Sequence, residues 1–496
     1  MSLGLSAGVY PKILDESGGA QAPSTNTTGI VMIAPTSVFS KKPVYITGGA
    51  KELVEIYGKA KVGFENYIAS KLICDTTSCW VVNIPHQTSN SDKNATVNLT
   101  TAPESSTAVV QVDYVVPGEE GNDISIVVTD SAEGSFSFMV VNKTGDPLEK
   151  FTNVSFNKFS LDYVDNIYSQ FVKLTALVGA TEETVVEAKK YDLAGGALQK
   201  ITYEKSDVIA AINELKNQEL YDLSMIVVPC LSHEPEILTA LNTACAENGT
   251  MRAIVAPPLA VSKASEVVKW SNGTLEDAPP ATYPKNSINN SQISVYAPWG
   301  KVFDEDVNSS VWVSPECEVI AARVYTNDNF QPWFANAGTT RGKVKRFTEL
   351  AALYNEGDRD LLYGGTNIVN PIAKIGSFGF LIYGQKTSLR DTTKQLTREN
   401  VRVLQNYIQK QVMTASQEYV FEQNDQYTWD TWISMATGVM AVIKRARGVY
   451  DYKVTMAPTD EEIDKYEMPG LIQYKPTKTA EFIPITFNLK AKASAM

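Results

Sequence analysis

The chain has 496 residues, 44% of them hydrophobic, and a net charge of −12. That length supports several domains around sizeable cores, and the acidic balance argues against nucleic acid as the main partner. The five cysteines, Cys74, Cys79, Cys230, Cys245 and Cys317, are too scattered for a disulfide framework and point to a reducing compartment. No basic-plus-apolar leader is read at the start, and no apolar run is long enough to cross a bilayer. The expectation is a soluble protein made in a cytoplasm.

Residues 1–22 read as an extended arm, with a short apolar stretch from Val9 to Leu14 broken by Pro11, followed by a Gly/Ser/Thr connector. From Gly29 the pattern becomes α/β: "GIVMIAP" and "CWVVNIP" are buried strands, and "GGAKELVEIYG" between them is a short helix. "AVVQVDYVV", "DISIVVTD", "SFSFMVVN" and "FTNVSF" are short strands separated by turns, an all-β module without helical periodicity. "DVIAAINELK", "LSMIVVP", "EILTALNTACAENG" and "MRAIVAP" then restore a helix–strand alternation, which implies neighbouring parallel strands with crossover helices. From about Asn370 a last α+β region begins. "IGSFGFLIYGQKTS" reads as a strand. "TRENVRVLQNYIQKQVMTASQEYVF" is an amphipathic helix with Val401, Leu404, Ile408, Val412 and Ala415 on one stripe. A second helix carries Trp429, Trp432, Ile433, Ala436, Met440 and Ile443, with Asn424 or Asp425 to cap it and Gly448 near its end.

The segment "AEFIPITFNL" closes the chain. Ile483, Ile485, Phe487 and Leu489 alternate as in a strand with one buried face, and Pro484 confines that strand to an edge. The fold class expected is multidomain α/β and α+β. An α/β domain takes 23–94 with 166–345, an inserted all-β module 95–165, a C-terminal α+β domain 346–479, and a C-terminal arm 480–496.

Signals for catalysis are sparse. Two histidines, His86 and His233, give little material for an acid–base or metal centre. Cys230 and His233 follow an α/β strand, where a thiol nucleophile and its base could sit, although a loop-lining role accounts for both. "CDTTSC" lacks zinc spacing, and no Gly-rich loop ends in Gly-Lys-Ser/Thr. No catalytic residue, metal or cofactor is expected. Between Val369 and Gly448, ten Lys and Arg stand against six Asp and Glu, so this region is basic in an acidic chain. Arg398 and Arg402 lie one helical turn apart, opposite the Val401/Leu404/Ile408 stripe, and Lys444, Arg445 and Arg447 cluster at the end of the second helix. These could be solvated helix faces and dipole complements, or a basic surface for an acidic partner.

The order of segments resembles the contractile tail sheath family of myophages and related injection systems over nearly the whole chain. "AGVYPKILD" is similar to the family's N-terminal arm, "PGEEGNDISIVV" to its Gly-Asn element in the β module, and "YAPWGKV" to its Pro-Trp-Gly stretch. "IVNPI", "FGFLIYGQKTS", "TRENVRVLQNYIQ", "VFEQNDQYTWDTW" and "AEFIPITFNL" follow in the family's order and spacing. Tyr383–Thr387 and Val401-Arg402-Val403 depart from the Trp-Gly-x-Arg-Thr and Arg-Arg patterns of relatives.

The resemblance implies a structural subunit, not an enzyme. It would form stacked hexameric rings as a helical sheath around an inner tail tube, and contraction would drive the tube through a target envelope. Val9, Tyr10, Ile13, Phe482, Ile483, Ile485, Phe487 and Leu489 would exchange strands between subunits. Arg398, Arg402, Lys444, Arg445 and Arg447 would face the tube. The implied partners are other copies of the chain, the tail tube protein, and baseplate and tail terminator proteins, with no nucleic acid and no membrane insertion. The implied place is a virion tail assembled in the host bacterial cytoplasm. A phage-derived bacterial injection sheath, a hydrolase at Cys230/His233 and a glycan-binding virion protein using 95–165 are the alternatives.

Overall fold

The computed structural model describes residues 26–88, 93–101, 107–115, 119–197, 201–275 and 288–487. Val9, Tyr10, Ile13 and Leu489 lie outside them.

The largest core surrounds an eight-stranded sheet. Thr28–Met32 pairs in parallel with Cys79–Asn83 on one side and Met225–Val227 on the other. Arg252–Val255, Ile293–Ala297 and Val369–Lys374 continue the parallel order outward. Antiparallel strands Pro43–Ile46 and Phe380–Ile382 close the two edges. Both faces are covered by helices, among them Gly49–Tyr57, Glu65–Cys74, Lys205–Leu215, Pro235–Asn248 and Glu316–Asn329. This is why the central strands read as continuous apolar runs rather than alternating ones: Thr28–Met32 is buried at every position.

A second core belongs to two smaller sheets. One joins Thr96–Thr100, Ala108–Tyr114 and Val172–Ala176. The other joins Ser125–Ala132, Ser135–Val141, Pro147–Ser155 and Lys190–Asp192. The β-rich unit therefore runs on to about Asp192, and the limit of 165 read from sequence is too early. Residues 166–192 pack with Phe136, Phe138 and Val154, not with the large sheet. The chain leaves and re-enters the large domain through one short ladder, His86–Thr88 against Ile201–Tyr203.

The boundary at 346 also moves. Val369–Lys374 and Phe380–Ile382 are strands of the large sheet, and Glu349–Leu350 pairs with Gly300–Asp304. The C-terminal unit is smaller: the helices Glu399–Ser416 and Gln426–Arg445, and the hairpin Val449–Met456/Gly470–Pro476. Asp425 caps the second helix, its carboxylate accepting the Thr428 N–H at 3.0 Å. Leu404, Ile408, Met440, Ile443 and Val449 form the core between helices and hairpin. Gly470 allows the hairpin to lie flat on the second helix, since a Cβ there would stand 2.3 Å from the Trp432 ring.

Candidate inter-subunit surface and domain seam

The helix Glu399–Ser416 is buried on two sides. Its apolar stripe, Val401, Leu404 and Ile408, is buried, and Leu404 and Ile408 pack on the second helix and hairpin as the periodicity requires. Its polar side crosses the N-terminal ends of three adjacent parallel strands. Glu399 is met by Arg252, which also donates to Ser294 Oγ at 3.0 Å. Tyr296 donates to Glu399 Oε2 at 2.7 Å, and Arg323 Nη2 lies 3.6 Å from the same oxygen. One turn on, Arg402 Nη2 donates to Gly249 O at 2.8 Å and its Nε to Asn406 Oδ1 at 2.8 Å. Asn406 Nδ2 reaches Thr250 O at 2.8 Å. Lys410 Nζ ends the row on Leu223 O at 3.0 Å and Asp222 Oδ1 at 2.7 Å. The carbonyls just before parallel strands lack partners in the sheet, so a helix carrying donors at successive turns satisfies them.

Burial pushes the Glu399 carboxyl up, but Arg252 and Arg323, with hydrogen bonds from Ser294 and Tyr296, outweigh it and hold the group below the usual carboxylate range. Glu399, Asn406 and Lys410 were not singled out by sequence reasoning. A polar residue opposite an apolar stripe reads as solvated, and its partners lie more than a hundred residues away.

Arg398 and Arg402, expected on an outward face, are half-buried and hydrogen-bonded within the chain. Arg402 belongs to the seam just described. Arg398 Nε donates to Glu481 Oε1 at 2.8 Å, and Gln385 Nε2 donates to the same oxygen at 2.9 Å. The outward basic residues are Lys444, Arg445 and Arg447. Lys444 Nζ lies 3.0 Å from Asp451 Oδ1, and the Arg447 guanidinium sits 5.8 Å from the Phe334 ring centroid.

Glu481 thus ties down the root of the C-terminal arm, helped by Asn400 Nδ2 on Thr477 O at 3.2 Å. Beyond it the arm changes character. Phe482, Ile483, Ile485 and Phe487 are 81%, 74%, 69% and 86% exposed. Among the described residues, Phe482–Phe487 pairs with no strand. The nearby hairpin likewise has two strands and no third, so both its outer edges are unpaired among the described residues. A charge exchange tests the anchor. Arg398→Glu or Glu481→Arg alone is expected to free the arm's root and speed proteolysis near residue 480. The double exchange is expected to restore protection toward wild type, as limited trypsinolysis with mass spectrometry would show.

The Cys230/His233 pair does not assemble. Cys230 is buried, its sulfur accepting the Ser314 N–H at 3.4 Å, and burial pushes its thiol well above the ordinary range, the reverse of an activated nucleophile. His233 lies 3.9 Å from Glu234, and burial lowers it to about 4. Beside this loop, at the start of the helix Glu316–Asn329, Glu316 is fully buried and accepts from Ser232 Oγ at 2.7 Å, while burial raises its carboxyl to about 7. A raised folded value means that the native state binds the proton more tightly than the unfolded chain. Stability from this group is full below an ordinary carboxylate value of about 4.5 and is lost as pH rises towards about 7. The loss is on the order of 3 kcal/mol. Glu316→Gln is therefore expected to melt above wild type at pH 8, with the difference vanishing near pH 4; parallel melts across that range would measure it.

Among the described residues, no helix is long and apolar enough to cross a membrane, and no cluster of three or more His, Cys, Asp or Glu is placed to hold a metal.

Over 383 residues the chain is 25% identical to the tail sheath protein of Vibrio phage KVP40, an alignment covering 74% of this chain and 55% of that protein. In fold it aligns with a chain of the PVC sheath complex, an extracellular contractile injection system in its contracted state. That alignment covers 98% of each chain at 13% identity, with a TM-score of 0.56. The chain resembles the contractile tail sheath proteins. The tail sheath protein of Enterobacteria phage T4 is 22% identical over 312 residues, covering 60% of this chain and 46% of that one. The contracted helical sheath of the anti-feeding prophage aligns over 98% of this chain and 99% of its own, at 12% identity and a TM-score of 0.56. The chain spans about half the length of the phage sheath proteins it matches. No family model matches it.

Proposed function

We propose that this chain is a structural subunit of a contractile phage tail sheath. Copies stack as hexameric rings around an inner tube and contract to drive the tube through a target cell envelope. The observation that carries this reading is the C-terminal arm: Ile483, Ile485 and Phe487 are exposed at strand spacing with Phe482 exposed beside them, and among the described residues the arm pairs with no strand and the nearby hairpin has two unpaired edges. An arm of this kind adds a strand to another copy's hairpin: main-chain hydrogen bonds supply strength, and alternate side chains set the register. Val9, Tyr10, Ile13 and Leu489 belong to the same exchange. Lys444, Arg445 and Arg447 are the residues offered to the tube, since Arg398 and Arg402 are engaged within the chain. Baseplate and terminator proteins would cap the two ends, and the sheath would assemble in the host cytoplasm as part of the virion tail. The work of contraction comes from the difference between two subunit packings.

The test is electron microscopy of the purified protein, alone and with the tube protein of the same system. Striated hollow cylinders are expected. Dispersed monomers under every condition would overturn the proposal.

A further inference from the structure

The seam contains more positive charge than its own carboxylate neutralises. Arg252, Arg323 and Glu399 are 4%, 2% and 1% exposed, so two guanidinium groups share one carboxylate away from water. Glu399 is the acidic group that acts on Arg323; the other charged groups there, Arg252 and Arg341, oppose its ionisation. Lys410 and Arg402 add two cations along the same helix, with Asp222 answering the first. The guanidiniums are also short of acceptors. Arg252 uses Nη2 on Ser294 and Glu399, and Arg323 uses Nη1 and Nη2 on Pro332 O, Phe334 O and Asn336. The Nε of each is buried without a hydrogen-bond partner among the described residues. Both side chains line one cavity of about 40 Å³, together with Thr250, Asn406, Tyr407 and Lys410.

We propose that this cavity is a binding site for a small monovalent anion, of which chloride is the physiological case, held between the Arg252 and Arg323 guanidiniums where the helix Glu399–Ser416 meets the large sheet. Two observations select the occupant. The volume admits one or two water-sized particles and leaves no room for a phosphate with its own solvent. Water would satisfy the two Nε donors but leave the buried excess charge standing, and buried charge is retained at low cost only when it is paired. An anion supplies both the acceptor and the charge. It also touches both sides of the seam, so its binding favours the docked arrangement of the C-terminal unit over an undocked one. The inference does not depend on the sheath reading.

The test is thermal unfolding of the purified chain at constant ionic strength, with sodium chloride exchanged stepwise for sodium gluconate, whose anion is too large for the cavity. The midpoint is expected to rise with chloride and saturate, by about 2 °C. Chloride-35 line width gives an independent reading on the unaltered protein: excess broadening is expected, relieved by added bromide. Val403→Glu places a carboxylate at the cavity wall, and this variant is expected to lose both effects. Equal midpoints in the two salts with no excess broadening would overturn the proposal and leave the cavity to water. Chloride effects that survive Val403→Glu would overturn the assignment to this cavity.

Discussion

Removal of Phe482–Met496 is expected to leave a folded chain that forms no sheath. The cut is placed after Glu481 so that its carboxylate still receives Arg398 and Gln385 and the root of the arm is unchanged. Of the residues removed, Phe482–Phe487 contribute little to their own subunit, since their four large apolar side chains are mostly solvent-exposed. Within a neighbour they would contribute much. Burying a side chain of this size is worth about 1.5–3 kcal/mol, so the three on one face, Ile483, Ile485 and Phe487, supply about 4.5–9 kcal/mol before the costs of ordering and association are subtracted. A loss of that size at every subunit contact abolishes a polymer. The expected readings are an unchanged circular dichroism spectrum and melting midpoint, a monomer by light scattering, and no cylinders in micrographs. Cylinders of normal length from the truncated chain would end the strand-exchange reading.

Glu399→Ala is expected to produce the largest loss of stability from any single substitution in the seam. It leaves Arg252 and Arg323 buried without their carboxylate and takes the acceptor from Tyr296. Breaking a buried ion pair from one side costs about 3–5 kcal/mol. The effect has a pH signature. The Glu399 carboxyl is held below its ordinary value, so its contribution is present above that value and is lost as pH falls through the folded one. Wild type and variant should therefore differ most near neutrality and converge in acid. Because Trp333, Trp429 and Trp432 lie in the C-terminal packing, tryptophan fluorescence should report its loosening at lower denaturant than far-UV signal from the large sheet.

Local pattern was sufficient where one segment carries its own evidence. The runs "GIVMIAP", "CWVVNIP", "LSMIVVP" and "MRAIVAP" are the central strands, and the stripes on the two C-terminal helices turn inward, with Val401, Leu404, Ile408, Trp432, Ala436, Met440 and Ile443 buried and Val412, Ala415, Trp429 and Ile433 half-buried. It failed where the partner is remote. Val369–Lys374 was given to the C-terminal region, but it joins the large sheet beside Ile293–Ala297, because a parallel neighbour is set by crossover topology and not by adjacency. Residues 172–192 were given to the large domain, although their strands pair with Ala108–Tyr114 and Ser125–Ala132. The seam was invisible for a related reason. Arg402, Asn406 and Lys410 form a polar row at helical spacing, which is also how a solvated face looks, and only the carbonyls at 249, 250 and 223 distinguish the two.

The ladder through which the β-rich unit joins the large domain has a consequence for how such a chain diversifies. Thr88 and Ile201 face each other as antiparallel partners, so the two ends of the excursion lie about 5 Å apart. The described residues between them have their own core. A tight turn could close that gap, and any other unit whose termini lie side by side could be grafted onto it, without disturbing a single strand of the eight-stranded sheet. The neck is thus a socket: the β-rich unit can be lost, enlarged or exchanged while the seam, the arm and the hairpin keep their own contacts.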